Sequence, residues 1–320
     1  MATLLINLEP DRLSEKQLAQ IQAAAPEMHI RLTRDIDEIE TMLGDVEIVV
    51  GGLPHHLFPQ APNLRWLQQW GAGADWLLRT PEAVQHDFVL TSASGVHAVP
   101  ISEQIIGYLL AFARGLHRAI CAQTKRQWHR ETKQSLFELA GKTMVLIGVG
   151  AIGERTAEIA VALGMRVLGI RRDPMMDVPH IEAMYGPEQL MNVLPQADFV
   201  VLTVPLTQET RGMIGERELR AMKSSAYIVN IGRGGTIHQE ALIQALHEGW
   251  IAGAGLDVFA AEPLPQDSPL WDMENVIITG HYAGMTPEYD NRALEILLEN
   301  LDRYRTGQKL FNIVDKKLGY

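Results

Sequence analysis

A glycine-rich turn between a predicted strand and a predicted helix is the strongest chemical signal in this sequence. The pattern G-x-G-x-x-G follows the apolar run 144–147 and opens a stretch of helical spacing. In such a turn the first glycine permits a tight bend, the second lets the backbone approach a pyrophosphate, and the third allows close helix–sheet packing. The diphosphate then lies at the helix N-terminus. The sequence therefore predicts a dinucleotide site, formed by Gly148, Gly150, Ala151, Ile152 and Gly153.

Two arginines stand where an acidic residue commonly binds the ribose of the dinucleotide. Arg171 and Arg172 follow the strand-like segment 166–170. A carboxylate would repel a 2′-phosphate, whereas guanidinium groups pair with it through charge-assisted hydrogen bonds. The pair therefore favours NADP over NAD. Two alternatives stay open, because the neighbouring Asp173 could still reach a ribose and the arginines could be a solvated pair at a strand end.

Three further polar residues could carry chemistry, and each follows an apolar segment of strand type. They are Arg233, Glu262 and His281. In an open parallel sheet the carboxyl ends of the strands border the ligand crevice, so these loops should converge on the same edge as the glycine turn. Taken singly, a histidine or glutamate after a strand is more often a surface residue or a structural hydrogen-bonding group. Their joint placement is what suggests a site.

The elements that must position these residues alternate between short β-branched segments and longer segments of helical spacing. This alternation is typical of parallel sheets covered by helices and predicts the α/β class. Strands are expected at 3–8, 29–33, 48–50, 64–69, 89–91, 143–147, 166–170, 199–203, 226–231 and 276–279. Helices are expected at 14–25, 35–43, 101–118, 154–163 and 289–304. The helix at 101–118 is expected to link two domains.

Composition limits the partners of the protein. The 320 residues include 28 basic and 39 acidic side chains, giving a formal net charge of −11, which argues against a surface that attracts nucleic acid or anionic lipid. The length suits about two domains. The N-terminal residues lack the features of a secretion signal, and no apolar run approaches the ~20 residues needed to cross a bilayer. A cytoplasmic protein is therefore expected.

The cysteine and histidine content gives no sign of a metal site. The single cysteine, Cys121, excludes an intramolecular disulfide and is expected to be a buried thiol in the apolar register of a helix, which suits a reducing compartment. The adjacent His55 and His56 would point apart on a strand, so they would not ligate one metal ion.

Taken in chain order, the glycine turn and the polar residues that follow the later strands resemble the D-isomer-specific 2-hydroxyacid dehydrogenase family. The resemblance covers nearly the entire chain, is densest from Leu139 to Gly284, and includes 71–75, which is similar to the substrate-binding loop of the family. The length and the context of Tyr320 are most similar to the glyoxylate/hydroxypyruvate reductase branch. Besides the glycine turn, the matching residues are Val204, Pro205, Leu206, Thr207, Thr210, Asn230, Arg233, Gly234, Asp257, Glu262, Pro263 and His281.

The resemblance implies two Rossmann-like, doubly wound parallel-sheet α/β domains with the active site in the cleft between them. A discontinuous substrate-binding (catalytic) domain would comprise 1–97 plus 287–320, and the dinucleotide-binding domain would comprise 98–286. Family members usually dimerise through the cofactor domain and its long helix, so a homodimer is expected.

The resemblance also implies a role for each candidate residue. Arg233 would bind the substrate carboxylate together with the backbone amides of Ala72 and Gly73. His281 would donate a proton to the carbonyl oxygen as the nicotinamide delivers hydride, and Glu262 would orient the imidazole and favour its protonated form. Further cofactor contacts would come from Val204, Pro205, Thr210, Ile231, Gly232, Arg233, Asp257 and His281.

The function expected from these observations is NADPH-dependent reduction of a small 2-oxoacid, such as glyoxylate or hydroxypyruvate, to the D-2-hydroxyacid. NAD(H) remains a second cofactor. The alternatives are a nicotinamide-sensing binding protein, because corepressor relatives keep this fold and these polar residues, and a dehydrogenase of another 2-hydroxyacid. Formate-specific relatives usually carry glutamine in place of Glu262, and phosphoglycerate-specific ones often append a regulatory domain.

Two positions depart from the family pattern. Gly280 stands where proline commonly precedes the catalytic histidine, and His238 replaces a frequent aspartate. Gly280 is expected to loosen the backbone before His281. His97, in the less diagnostic segment 94–97, could be a hinge-packing residue or a substrate contact.

Overall fold

The chain folds into two compact units, each built on one parallel sheet. The computed structural model describes residues 2–319, so Met1 and Tyr320, including the Tyr320 context of the branch resemblance, lie outside the described residues. One unit contains the residues up to Val96 and those from Thr286 onward, and the other is His97–Met285. Within the described residues the neighbouring strands of both sheets pair in parallel. The prediction of two parallel-sheet α/β domains is confirmed.

The first unit contains, within the described residues, a five-stranded sheet in the order β2-β1-β3-β4-β5. Its strands are β1 (Thr3–Ile6), β2 (His29–Leu32), β3 (Val46–Gly51), β4 (Trp66–Gln69) and β5 (Val89–Thr91). Its first helices are α1 (Glu15–Ala24), α2 (Ile36–Met42) and α3 (Pro81–Gln85). Helix α1 begins with a capping box in which Ser14 and Gln17 satisfy each other's backbone amides.

The second unit contains seven strands among the described residues, in the order β12-β11-β10-β9-β6-β7-β8. Its helices are α4 (Ala98–Ala113), α5 (Leu116–Thr124), α6 (Ala151–Ala162), α7 (Leu190–Val193), α8 (Glu216–Ala221) and α9 (Gln239–Glu248). Its strands are β6 (Thr143–Ile147), β7 (Arg166–Ile170), β8 (Ala183–Tyr185), β9 (Phe199–Leu202), β10 (Tyr227–Asn230), β11 (Gly253–Leu256) and β12 (Val276–Ile278). The strand order reverses direction at β6, which is where doubly wound sheets bind their ligands.

The last helix returns the chain to the first unit. Helix α10 (Tyr289–Arg305) is amphipathic and buries Ala293, Leu294, Leu297 and Leu301 in the core of that unit. The prediction of a helix at 289–304 that packs onto an already built domain therefore agrees with the structure.

The predicted single helix at 101–118 is wrong, because Gly115 breaks it. Gly115 has φ +64°, a left-handed conformation that ends α4, and α5 leaves at an angle of 74°. The apolar register of α4 therefore does not continue into α5. For this reason the expected burial of Cys121 is also wrong, since its side chain is exposed. Within residues 2–319 no single helix is long and apolar enough to span a membrane; only the bent pair α4 and α5 together reaches that length and composition.

Two further local expectations differ from the structure. His55 and His56 lie in a 3₁₀ helix, His55–Gln60, rather than on a strand, because Pro54 precedes them and Pro59 interrupts strand pairing. Strand β11 escaped prediction because its sequence, Gly-Ala-Gly-Leu, has little strand preference. Among the described residues no group of three or more His, Cys, Asp or Glu side chains is placed to hold a metal ion.

Candidate active site

The glycine turn connects β6 to α6 at the point where the strand order reverses. Gly148 has φ +96°, and a Cβ at this position would lie 2.8 Å from the Val204 side chain. A Cβ on Gly153 would lie 2.7 Å from the Gly148 carbonyl oxygen. Only glycine therefore fits the bend and the close packing of α6 against the turn.

The middle glycine faces open space. No heavy atom lies within 4 Å of the Cβ position of Gly150, and no side chain caps α6. The first amides of this 12-residue helix therefore lack an intrahelical or side-chain acceptor. A diphosphate fits this cradle, because the amides and the helix dipole both favour an anion there.

The arginine pair lies at the carboxyl end of β7, on the far side of the glycine turn from β9. The Arg171 guanidinium has no hydrogen bond or ion pair with another residue of the described range, whereas Arg172 lies 3.4 Å from the exposed Glu209 carboxylate. The Asp173 carboxylate accepts a hydrogen bond from the Met175 amide within its own turn. The position thus presents cationic groups, and the Asp173 carboxylate is engaged within its own turn.

The loop after β9 is locked by two threonines. The Thr210 hydroxyl accepts from the Thr207 amide at 2.8 Å and donates to the Pro205 carbonyl at 2.6 Å. In return, the Thr207 hydroxyl accepts from the Thr210 amide at 3.2 Å. These reciprocal bonds fix the backbone from Val204 to Thr210, beside the glycine turn.

The loop after β10 carries Arg233, and the Asn230 side chain fixes the backbone of this loop through hydrogen bonds. This amide side chain, 1% exposed, donates to the Arg233 carbonyl at 3.1 Å and accepts from the Gly232 amide at 3.1 Å. The Arg233 guanidinium, half-buried, donates to the Gly232 carbonyl at 2.8 Å. The loop therefore holds a preorganised guanidinium at the carboxyl end of the sheet.

Asp257, which directly follows β11, holds the loop after β12 in place. We call residues 279–284 the histidine loop. One carboxylate oxygen of Asp257 accepts from the Thr279 hydroxyl and, at 3.1 Å, from the Tyr282 amide, and the other accepts from the Ala283 amide at 3.1 Å. The His281 amide donates to the Asp257 carbonyl at 2.9 Å. Asp257 is 2% exposed, so its carboxylate serves this loop from within the core.

His281 and Glu262 form the hydrogen-bonded pair that the family resemblance implied. His281 Nδ1 lies 2.7 Å from Glu262 Oε2, and the other oxygen of Glu262 accepts from the Phe259 amide at 2.9 Å. A carboxylate accepts hydrogen bonds, so Nδ1 carries the proton in this contact and Nε2 takes no part in it. The pair is partly exposed, with 48% of the His281 side chain and 35% of the Glu262 side chain accessible.

The backbone of His281 is strained. Its φ is +56°, a left-handed conformation that costs a non-glycine residue roughly 1–2 kcal/mol. Gly280, which was expected to loosen this segment, has open space around its Cβ position and no positive φ. The bonds to Asp257 fix the histidine loop on both sides of His281, so the strain persists because the surroundings determine the conformation.

His97 packs on the end of the histidine loop. Its Nδ1 lies 3.3 Å from the Gly284 carbonyl, and a Cβ on Gly284 would approach that ring nitrogen to 2.5 Å. Burial lowers the pKa of His97, and the nearby positive charges of Arg233 and His281 lower it further. Protonation of the His97 ring is therefore disfavoured where it packs against the loop.

The remaining predicted substrate residues lie in the first unit, in the loop after β4. The carbonyl oxygens of Gly71 and Gly73 accept from the buried Gln69 side chain at 3.0 and 2.6 Å. The amides of Ala72 and Gly73 donate no hydrogen bond within the part of the chain that the structure describes. These amides are consequently available to an acceptor.

The second sheet brings most of the predicted residues to one edge. Strands β12, β11, β10, β9 and β6 are consecutive neighbours, and their carboxyl ends carry His281, Asp257 with Glu262, Arg233, the Val204–Thr210 loop and the glycine turn. Sequence reasoning missed Tyr108 and Thr279, whose hydroxyl oxygens lie 2.5 Å apart next to Asp257. The available signal was a tyrosine, with its polar hydroxyl, on the mostly apolar buried face of α4.

Comparison with known proteins places the chain in a family. The model for the D-isomer specific 2-hydroxyacid dehydrogenase, NAD binding domain, matches residues 106–283. A glyoxylate reductase of Korarchaeum cryptofilum is 36% identical over 90% of this chain and 86% of its own length. A glyoxylate reductase of Pyrococcus furiosus is 34% identical over 89% of this chain and 84% of its own.

Solved structures agree over the full chain. A D-isomer specific 2-hydroxyacid dehydrogenase of Xanthobacter autotrophicus, in complex with NADPH and MES, has a TM-score of 0.87 at 29% identity and covers 100% of this chain and 99% of its own. An NADPH-dependent glyoxylate/hydroxypyruvate reductase of Sinorhizobium meliloti, in complex with NADP and sulfate, has a TM-score of 0.85 at 26% identity and covers 100% of both chains. The chain therefore belongs to the D-isomer-specific 2-hydroxyacid dehydrogenase family of NAD(P)-dependent oxidoreductases.

Proposed function

We propose that this protein reduces a small 2-oxoacid, such as glyoxylate or hydroxypyruvate, to the D-2-hydroxyacid with NADPH. The observation that carries the proposal is the 2.7 Å contact of His281 Nδ1 with Glu262 Oε2 at the sheet edge that also carries Arg233 and the glycine turn. Such an edge can combine a carboxylate clamp, a proton donor and a cofactor cradle. The glyoxylate reductases among the relatives support the substrate class.

Each residue of this edge has a defined task in the proposed reaction. When bound, the nicotinamide supplies a hydride for the carbonyl carbon. Arg233 binds the substrate carboxylate through two parallel hydrogen bonds and polarises the neighbouring carbonyl. His281 donates a proton from Nε2 to the carbonyl oxygen, which completes the alcohol, and removes that proton in the oxidation direction. Glu262 keeps Nδ1 protonated and thereby fixes which ring nitrogen faces the substrate.

The charge at the end of β7 supports NADPH over NADH. The Arg171 guanidinium has no hydrogen bond or ion pair with another residue within 2–319, so it is available to a 2′-phosphate, and Arg172 lies 3.4 Å from the exposed Glu209 carboxylate. The Asp173 carboxylate accepts a hydrogen bond from the Met175 amide within its own loop. A phosphate monoester would therefore meet positive charge at the end of β7.

The proposal extends to the other unit and to assembly. We assign the available amides of Ala72 and Gly73 to the substrate carboxylate as further donors. We also assign substrate binding to 1–97 plus 287–320 and dinucleotide binding to 98–286. A homodimer is proposed because α5 and the segment after it expose Leu116, Ile120 and Trp128, the last of them 90% accessible.

A substrate panel assayed with both nicotinamides tests this function. Glyoxylate, hydroxypyruvate, pyruvate, phenylpyruvate and a branched 2-oxoacid are each mixed with NADPH or NADH, and absorbance at the nicotinamide band is followed. Faster consumption of NADPH than NADH with the two smallest hydrophilic oxoacids is the expected result. Equal rates with both cofactors, or a preference for a bulky oxoacid, would overturn the corresponding part of the proposal. Cofactor binding without turnover of any oxoacid would favour a nicotinamide-sensing protein.

A further inference from the structure

We propose that Tyr108 is a positioning residue that holds the catalytic His281 in place through Thr279 and Asp257. This inference rests on the proposed function only for the role of His281. Tyr108 belongs to α4, 171 positions before Thr279, and its hydroxyl oxygen lies 2.5 Å from the Thr279 hydroxyl oxygen. It does not touch the predicted reacting groups, so it acts through the histidine loop.

The directions of the hydrogen bonds make Tyr108 the first donor in a series of hydrogen bonds. Thr279 donates its single hydroxyl proton to the Asp257 carboxylate, which can only accept. The Thr279 oxygen is left to accept, so the Tyr108 hydroxyl donates to it. The same Asp257 carboxylate accepts from the amides of Tyr282 and Ala283. Through Thr279 and Asp257, these hydrogen bonds connect Tyr108 to residues on both sides of His281 in the sequence.

The tyrosine is built into this position. Its ring is 3% exposed in the second unit's core, and the absence of a side chain at Gly255 of β11 makes room for it, because a Cβ there would lie 2.8 Å from Tyr108 Cγ. Burial raises the pKa of the Tyr108 hydroxyl to about 12, so the group stays protonated and able to donate throughout the neutral range.

The need for such a positioning group comes from the strain at His281. Its left-handed backbone, φ +56°, is held by the bonds of Asp257 to the histidine loop. Thr279 is the first residue of that loop, and its hydroxyl shares an Asp257 oxygen with the Tyr282 amide. Removing the Tyr108 hydroxyl removes one of the two hydrogen bonds that hold the Thr279 hydroxyl, so the arrangement of the Asp257 carboxylate and the histidine loop is loosened.

The test compares Tyr108→Phe with Tyr227→Phe. Both tyrosine rings pack in the same core cluster, but no residue within 2–319 hydrogen-bonds to the Tyr227 hydroxyl, so Tyr227→Phe controls for the removal of a tyrosine hydroxyl from this region. We expect kcat for the 2-oxoacid to fall about 5- to 20-fold in Tyr108→Phe, the effect of one lost hydrogen bond in a network, with KM and NADPH affinity within about twofold. Tyr227→Phe should behave as wild type.

Substitutions at Thr279 identify the route. Thr279→Val removes the hydroxyl and keeps the shape, and it should lower kcat as Tyr108→Phe does, whereas Thr279→Ser should retain most of the activity. The double variant Tyr108→Phe/Thr279→Val should be no slower than Thr279→Val alone, because both lie on one chain of bonds. Additive losses, or a rise in KM without loss of kcat, would overturn the proposal.

A measurement without turnover separates this inference from the proposed function. Amide hydrogen exchange of the peptide containing 279–284 should accelerate in Tyr108→Phe and stay unchanged in Tyr227→Phe. If no 2-oxoacid is reduced but exchange accelerates, the positioning role stands and the proposed function fails. If the enzyme is active and Tyr108→Phe changes neither kcat nor exchange, the positioning role fails and the proposed function stands.

Discussion

His281 concentrates the chemistry of the site in one side chain. Its Nδ1 is held by Glu262, so replacing it removes the proposed proton donor without touching the glycine turn. We expect His281→Ala to keep its affinity for NADPH, measured by fluorescence titration. Turnover of the 2-oxoacid should fall roughly 100- to 10,000-fold, the range for losing a positioned general acid.

A second histidine provides the control for that variant. His238 is exposed beyond β10 and pairs with the exposed Glu240 at 3.3 Å. His238→Ala should retain wild-type turnover. Full activity in His281→Ala would show that another group donates the proton.

A substitution at Arg233 tests whether substrate binding needs the planar guanidinium or only its positive charge. Arg233→Lys keeps the positive charge but cannot form two parallel hydrogen bonds to a carboxylate. A loss of kcat/KM on the order of 100-fold is expected from steady-state kinetics with the preferred 2-oxoacid. Near-normal kinetics would mean that a point charge suffices and that Arg233 is not a two-pronged clamp.

Two further residues, Arg171 and Arg172, are expected to set the preference for NADPH over NADH. Arg171→Ala/Arg172→Ala should raise the KM for NADPH by about tenfold or more and leave that for NADH nearly unchanged, because only the 2′-phosphate loses charge-assisted bonds. Arg166→Ala is the matched control, since Arg166 begins β7 at its opposite end and pairs with Glu182. An equal rise in KM for both cofactors would show that Arg171 and Arg172 are a solvated surface pair and do not bind the 2′-phosphate.

Among the elements, the segment after α5 depends on one carboxylate. The Glu131 carboxylate accepts from Arg118 at 2.7 Å and from the Ser135 hydroxyl at 2.6 Å, and the hydrogen bond from Arg118 is the main cause that lowers the pKa of Glu131 to about 2. A lowered folded-state pKa gives stability that is present above the unfolded value of 4.5. That stability is lost as the pH falls from about 4.5 towards 2.

Replacing this carboxylate should loosen the segment. Glu131→Gln is expected to lower Tm by about 2–4 °C at pH 7 and to accelerate proteolysis of 125–138. Because the wild type loses the same stabilisation in acid, the difference in Tm should shrink near pH 3. The exposed Glu138→Gln is the control. A difference that stays constant from pH 7 to pH 3 would contradict the electrostatic origin.

At the scale of the whole molecule, the exposed apolar residues of α5 and its following segment support a homodimer. Ile120 is 61% exposed on this surface. Ile120→Glu would place a charge in the proposed interface, where an unpaired charge is costly to bury. Light scattering after gel filtration should show the wild type at twice the protomer mass of 35.6 kDa and the variant shifted to the monomer.

A variant on the other unit separates a specific interface from general solubility. Ile36 is 46% exposed at the start of α2, and Ile36→Glu should leave the mass unchanged. A wild-type protein that stays monomeric at all concentrations would remove the homodimer from the proposal.

Much of the fold and the candidate site could be predicted because they depend on local properties of the chain. The strand–glycine–helix unit from Thr143 to Ala162 is set by residue size, by φ at Gly148 and by hydrophobic period, which a short window of sequence contains. Strands β5, β6 and β7 were predicted with the bounds observed for the same reason. The family resemblance added the roles of Arg233, Glu262 and His281, which stay predictions.

The remainder depended on contacts between distant parts of the chain. Exposure of Cys121 follows from the break at Gly115, and β11 exists because neighbouring strands supply hydrogen bonds that its glycine-rich sequence does not favour. The sequence alone determined the fold class, the dinucleotide turn and the identity of the candidate groups, since side-chain type and period are local. Only the tertiary structure decided that Asp257 and Tyr108 secure the histidine loop, because a hydrogen bond across 171 positions depends on where α4 and β12 pack rather than on the residues beside either one.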